Sequence, residues 1–301
     1  MACETVVKSD VTLVTGFFDL DRRLPPGVPR RRPLDFYKER GRPVLNAGCP
    51  LVVYTERECV GLVTAPSEFP RRVVETRLEE LEPYGMFEGI ERNWAADRKV
   101  AYFDRSKVTP SYAVLMAGKS CMVRDVAASN PFGSKYVAWI DFALSHVAEL
   151  GFLREALSVR PEKPRYVVMN HPGWVWNRCC GGSREAFYGS LRWVVAGGFF
   201  MWPVEAAGRM AGSLLGEAKA AVDDGFLFDD EQLLGSLVCR EACPFEFAYG
   251  GHESCVSNFA VVRSGFADCA RLVREAKEMG DDRFVREIED QRTQLWFGEN
   301  D

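Results

Sequence analysis

With 301 residues, 47% of them hydrophobic and 27% charged, the chain can bury a large core, as one α/β domain of two lobes or as two small domains. A formal net charge of −5 argues against a general nucleic-acid binder, and the basic clusters Arg22-Arg23 and Arg30-Arg31-Arg32 carry the interleaved prolines of a solvated loop. No run approaches the ~18 apolar residues of a membrane span, and Met1-Ala2-Cys3-Glu4 lacks the features of a signal peptide, so a soluble, cytoplasmic protein is expected.

Ten scattered cysteines read as reduced thiols packed as small hydrophobes. Cys239, Cys243, His252 and Cys255 give a C-x3-C-x8-H-x2-C spacing that could wrap a structural zinc, against which stands the apolar helical pattern around Cys239.

In chain order, Val11 to Phe18 reads as a buried strand that stops at Asp19 and Arg22, with no G-x-G-x-x-G after it, which argues against a dinucleotide-binding turn. Leu34 to Arg40 reads as a short helix, Leu51 to Thr55 and Arg71 to Thr76 as strands, and Leu78 to Leu81 as helical, an alternation that points to an α/β sheet. Thr109-Pro110 is a helix start, a capping hydroxyl followed by proline, and Val114, Leu115, Met122, Val123 and Val126 then recur at helical spacing. Lys119 projects from that apolar stripe. Either its stem snorkels to water, or its ammonium reaches into a crevice to meet an anion such as a diphosphate.

Ser129-Asn130-Pro131-Phe132 precedes Tyr136-Val137-Ala138-Trp139-Ile140, a strand buried on both faces that ends on Asp141. Ligands of open α/β sheets sit at the carboxyl ends of strands, which makes Asp141 the first site candidate. Ala143 to Leu157 reads as a helix carrying His146, and Arg165 to Met169 as a strand closed by Asn170-His171-Pro172-Gly173. Gly181-Gly182-Ser183 opens a helix from Arg184 to Val195; its N–H groups could receive phosphate or sugar oxygens, or Ser183 could simply cap the helix. A further helix runs from Glu205 to Val222. Asp229-Asp230-Glu231 then either caps the next helix or, through carboxylates that raise one another's pKa, supplies a general base. Asn258 to Val262 reads as a strand and Ala267 to Asp290 as one amphipathic helix.

Taken together, Val14 to Arg22, the helix with Lys119, Asn130-Pro131-Phe132 leading to Trp139-Ile140-Asp141, the Gly181-Gly182-Ser183 turn and Asp230-Glu231-Gln232 resemble the bacterial HtrL/YibB and WlaTC glycosyltransferases, over roughly residues 11 to 250. The resemblance implies a GT-A type fold: one α/β domain over 1–301 with a central, mostly parallel twisted sheet flanked by helices. A nucleotide-sugar-binding half would cover about 1–145, and an acceptor-binding half with a C-terminal helix about 146–301.

The activity it implies is transfer of a sugar from a nucleotide donor, a UDP-sugar, to a hydroxyl of a glycan acceptor. Thr15, Phe17, Asp19 and Arg22 would line the nucleotide pocket, with Lys119 facing the diphosphate or base and Asn130, Gly181, Gly182 and Ser183 completing the donor set. Asp141 would stand at the first acid of a D-x-D motif that holds Mn²⁺ or Mg²⁺. Here Phe142-Ala143 follows and the second acid is absent, so Asp141 alone, or with His171 or His252, would hold the ion together with phosphates and waters; without an ion, Lys119 and Arg22 would have to stabilise the leaving diphosphate. Asp230 or Glu231 would serve as base, and Trp174, Trp176 and Trp202 are either a sugar-stacking wall or buried core. The alternative is a non-catalytic nucleotide- or sugar-binding module of the same fold.

Overall fold

The computed structural model describes residues 9–24, 32–64, 66–96, 108–190, 193–240 and 244–293. Cys3, Cys243 and the basic prolyl segment through Arg31 lie outside them. Among the described residues seven strands form one sheet in the order β3-β2-β1-β4-β6-β5-β7: β1 (Val11–Phe17), β2 (Leu51–Thr55), β3 (Arg71–Glu75), β4 (Tyr136–Ile140), β5 (Arg165–Val168), β6 (Val195–Pro203) and β7 (Glu246–Tyr249). Among these only β6 runs antiparallel, between β4 and β5. The helices are α1 (Leu34–Leu45), α2 (Val60–Val63), α3 (Phe87–Ala95), α4 (Pro110–Ser129), α5 (Leu153–Ala156), α6 (Arg184–Tyr188), α7 (Val204–Asp223), α8 (Asp230–Cys239), α9 (Phe266–Met279) and α10 (Asp282–Thr293). This is the mostly parallel, helix-flanked α/β architecture expected.

The period-2 alternation of the strands divides the core in two. Val14, Val52, Val137 and Trp139 face one layer with α4, α7 and α8, whereas Leu13, Leu51, Val53, Ala138 and Ile140 face the other with Val44 and Leu45 of α1. Both faces are therefore dry, and sheet chemistry is confined to the edges.

α4 positions the site. Thr109 Oγ1 accepts from Tyr112 N at 3.2 Å and Pro110 fills the first turn, the start expected from the sequence. The helix is apolar on nearly every face and sunk between the sheet, α3 and α7, so a charge on it must find partners inside the protein.

Four expected elements are corrected. Residues 143–157 are not one helix. A 3-10 turn spans Leu144–His146, where Ser145 Oγ bonds Arg40 O and His146 Nδ1 lies 2.6 Å from Ala143 O, and only Leu153–Ala156 is helical beyond it. These side-chain bonds to backbone compete with helix. α6 stops at Tyr188, and Val195, the expected end of that helix, instead opens β6, the longest strand.

Asn258–Val262 is a turn, because buried Asn258 spends its amide on it: Nδ2 donates to Tyr249 O and Ser264 O, and Oδ1 accepts from Arg263 N and Ser264 N. The last strand is instead β7. The C-terminal helix is two, α9 and α10, broken at Gly280, whose φ of +70° no helix allows.

Candidate functional site

The parallel strands end on one edge, and β6, running the other way, begins there. Asp141 follows β4 on this edge, and its N–H donates to Gly198 O at 2.9 Å, extending the β4–β6 ladder by one residue. Two residues after Trp139, it faces the α4 layer as Trp139 does. The Trp139 indole Nε1 donates to Asp141 Oδ1 at 2.8 Å, and Lys119 Nζ meets the same oxygen at 2.7 Å. Lys119 Nζ also donates to Asp230 Oδ2 at 2.7 Å.

Asp230 and Glu231 reach the edge because Asp229 does the capping. Asp229 Oδ1 accepts from Gln232 N at 2.8 Å and Asp229 N donates back to Gln232 Oε1, a capping box that turns the next two acids toward β6. Glu231 Oε1 accepts from Gly197 N at 2.9 Å and pairs with His252 Nδ1 at 3.2 Å, in the loop after β7. The glycine pair makes this possible. A Cβ on Gly197 would lie 2.1 Å from Asp230 Oδ2, and Gly198 leaves the space beside Asp141.

Charge and burial set the electrostatics. Lys119 is 4% exposed and lines a small cavity together with Met116, Phe200, Leu214, Leu233 and Leu234. Burial works against its charge, but Asp141 and Asp230 outweigh that and hold the amine above its usual range. The Asp141 carboxyl is pushed upward, by burial first and by Asp230, against the pull of Lys119 and the Trp139 N–H. Its side chain nonetheless keeps 39% exposure, so water reaches it. Tyr112, two turns before Lys119 on α4, has its phenol raised by burial and by the four nearby acids, so it stays a neutral donor. For His252 burial lowers the pKa, but Glu231 prevails and raises it above the ordinary value.

The structure thus brings together Lys119, Asp141, Asp230, Glu231 and His252. Asp19 and Arg22 sit on the loop after β1 as an ion pair of 2.9 Å, Arg22 exposed and Asp19 buried. Thr15 and Phe17 are interior. Thr15 is fully buried, with no hydrogen-bond partner for Oγ1 among the described residues, and Phe17 packs between Tyr37 and Phe142, so the pocket-lining role expected for its ring is corrected.

Asn130 is corrected too. It ends α4 at the opposite, amino-terminal edge of β4, where Nδ2 donates to Ser134 O and Oδ1 accepts from Ser134 N. Gly181 and Gly182, both at positive φ, make the turn into α6, and Ser183 Oγ accepts from Ala186 N as a cap on a five-residue helix.

The proposed metal set does not assemble. His171 is 4% exposed with both ring nitrogens engaged: Nδ1 accepts from Trp174 N at 3.1 Å, and Nε2 faces Asp281 Oδ2 at 3.2 Å. His252 points its Nδ1 at Glu231. Among the described residues no three His, Cys, Asp or Glu side chains are placed to hold an ion. Of the zinc spacing, Cys243 lies outside the described residues, and Cys239 and Cys255 are buried free thiols that burial pushes up.

Trp202 is fully buried core, its Nε1 on Tyr166 OH, and the half-buried Trp174 donates its Nε1 to Glu278. Trp193 was missed. It is 39% exposed and meets the His252 ring edge-on at 5.0 Å. Gly197-Gly198 in an apolar run was the available signal for the clearance beside the acids.

Among the described residues no helix is long and apolar enough to cross a membrane. No curated protein matches the chain. Mouse xyloside xylosyltransferase 1 is similar in structure at 12% identity and a TM-score of 0.42, over 79% of this chain and 84% of that one. Core-mannan synthase A of Aspergillus fumigatus, in a Mn/GDP form, is similar at 9% identity and a TM-score of 0.47, over 80% and 73%. The family described as "Bacterial protein of unknown function (HtrL_YibB)" matches residues 9–161, half of the chain. The chain therefore belongs to the HtrL/YibB family.

Proposed function

We propose that this protein transfers a sugar from a nucleotide-sugar donor, a UDP-sugar, to a hydroxyl of a glycan acceptor. The observation that carries the reading is the convergence of Asp141 and Asp230 on one ammonium at the carboxyl edge of the sheet, with the Asp141 side chain 39% exposed. Carboxylates held this way accept hydrogen bonds from sugar hydroxyls, and fixed placement of donor and acceptor supplies much of such a reaction's acceleration.

Glu231 suits the base. Its Oε1 is steadied by the Gly197 N–H and by His252, which leaves its other oxygen to take the acceptor proton. Asp230, committed to Lys119, orients the donor sugar. Arg22, exposed on the loop after β1, is the cation available to the departing diphosphate. The Mn²⁺ or Mg²⁺ implied by the resemblance does not fit the residues present. The ammonium occupies the space between the two acids, and both candidate histidines are engaged.

A thermal-shift screen of nucleotide sugars, followed by a transfer assay on those that stabilise the fold, tests the proposal. Stabilisation by a UDP-sugar and its hydrolysis or transfer, lost in Glu231→Gln, supports it. Binding without turnover across the donor panel would return the chain to a non-catalytic module, and no binding would reject the donor site.

A further inference from the structure

The geometry points to Lys119 as the resident cation of the acid pair, standing where a divalent ion would bridge Asp141 and Asp230 and making that site independent of metal. Nζ lies 2.7 Å from Asp141 Oδ1 and 2.7 Å from Asp230 Oδ2, so one ammonium spans both carboxylates. A divalent ion held by the same two oxygens would sit about 2.0–2.2 Å from each and overlap that nitrogen. The bridging oxygens are taken from the other side as well, since Asp141 Oδ1 also accepts the Trp139 N–H.

Among the described residues no third His, Cys, Asp or Glu side chain joins the pair as a ligand. Glu231 Oε1 is spent on the Gly197 N–H and on His252, and His171 is tied to Trp174 and Asp281. Lys119 itself cannot swing out to clear the space, because it is 4% exposed on a helix buried on nearly every side. Position 119 also explains the incomplete D-x-D. Where a second acid would double the negative charge at the end of β4, this chain carries alanine at 143 and brings in a fixed positive charge from α4.

The charges make the inference testable. Two carboxylates and one ammonium sum to −1, and removal of the ammonium leaves −2 around a vacated bridging position, which a divalent ion can neutralise. The inference rests on the glycosyl-transfer reading for its nucleotide ligand, but the ion can be tested alone.

Mn²⁺ without nucleotide is titrated into the full chain and followed by electron paramagnetic resonance. The wild type should hold no Mn²⁺ that Asp141→Asn removes. Lys119→Ala should bind Mn²⁺ at least about tenfold more tightly than the wild type, and adding Asp230→Asn should abolish the gain. One equivalent of Mn²⁺ on the wild type, released by Asp141→Asn, overturns the inference. So does a folded Lys119→Ala that binds no more than the wild type. If Lys119→Ala does not fold, the wild-type titration decides.

A second arm measures UDP binding to the wild type with EDTA or with Mn²⁺. Equal affinity supports the inference, and binding only with Mn²⁺ overturns it. No UDP binding in either condition removes the donor reading and leaves the Mn²⁺ titration to decide on the ion.

Discussion

Lys119 and Asp230 are 111 residues apart in sequence and 2.7 Å apart in space, so α4 and the first turn of α8 are joined through one buried ion pair. Breaking such a pair on one side leaves an uncompensated charge, which costs on the order of 3–5 kcal/mol in a dry interior. Here the cost is smaller, because Asp141 keeps 39% exposure and water can reach it. Lys119→Met is expected to lose about 2–3 kcal/mol in a urea titration, with part recovered in Lys119→Met/Asp230→Asn. A loss under about 0.5 kcal/mol would show that the pair holds nothing together.

Gly197→Ala should be costly for a reason confined to the site. The new Cβ would lie 2.1 Å from Asp230 Oδ2, 2.8 Å from its Cγ and 2.9 Å from Glu231 Cγ, and those acids are pinned by Lys119 and His252. The start of α8 must shift, at roughly 1–3 kcal/mol, the usual cost of overpacking. Gly198→Ala meets the end of the Leu144 side chain at 2.7 Å, which can turn aside, and should cost less. Melting temperatures of the two variants check the order, and Gly198→Ala falling further would refute it.

Legibility in the sequence followed local periodicity. β1, β2 and β4 were readable as short apolar runs, and α4 as a capped helix, because each is decided by its own residues. β6 was not. Its Gly197-Gly198 dilutes the strand pattern, and Val194-Val195 could equally end the preceding helix; only pairing with β4 and β5 makes it the one antiparallel strand.

The site divided likewise. A lysine on an apolar stripe and an acid closing a buried strand are anomalies visible in one dimension. That Asp229 would cap while Asp230 and Glu231 turned inward depended on Gln232 and on a glycine more than thirty residues upstream. His171 and Asn130 had plausible chemistry, but their side chains were already spent on Asp281 and on Ser134.

Glu231→Gln separates chemistry from architecture. The amide oxygen can still accept the Gly197 N–H, so the β6–α8 contact survives while the capacity to take a proton is lost. Turnover should fall by about 10²–10⁴, with donor-induced stabilisation retained. Asp141→Asn should do the reverse to binding and weaken the donor-induced shift. Transfer that survives Glu231→Gln would move the base elsewhere.

The histidines carry a pH signature of opposite signs. In the fold His252 is raised: burial lowers it, but Glu231 outweighs that. Its contribution to stability is therefore fully present below the ordinary value of about 6.5 and is lost as pH rises through the higher folded value. His171 is lowered, by burial first, against the pull of Asp281. Its contribution is present above about 6.5 and lost as pH falls through its folded value. With only three histidines in the chain, ring-proton NMR can assign both titrations through His171→Gln and His252→Gln. Urea midpoints over the same range should show His252→Gln removing the slope on the alkaline side and His171→Gln the slope on the acid side. A His252 that titrates below the ordinary value would mean that Glu231 does not hold it, and Glu231 would lose the support on which its role as base depends.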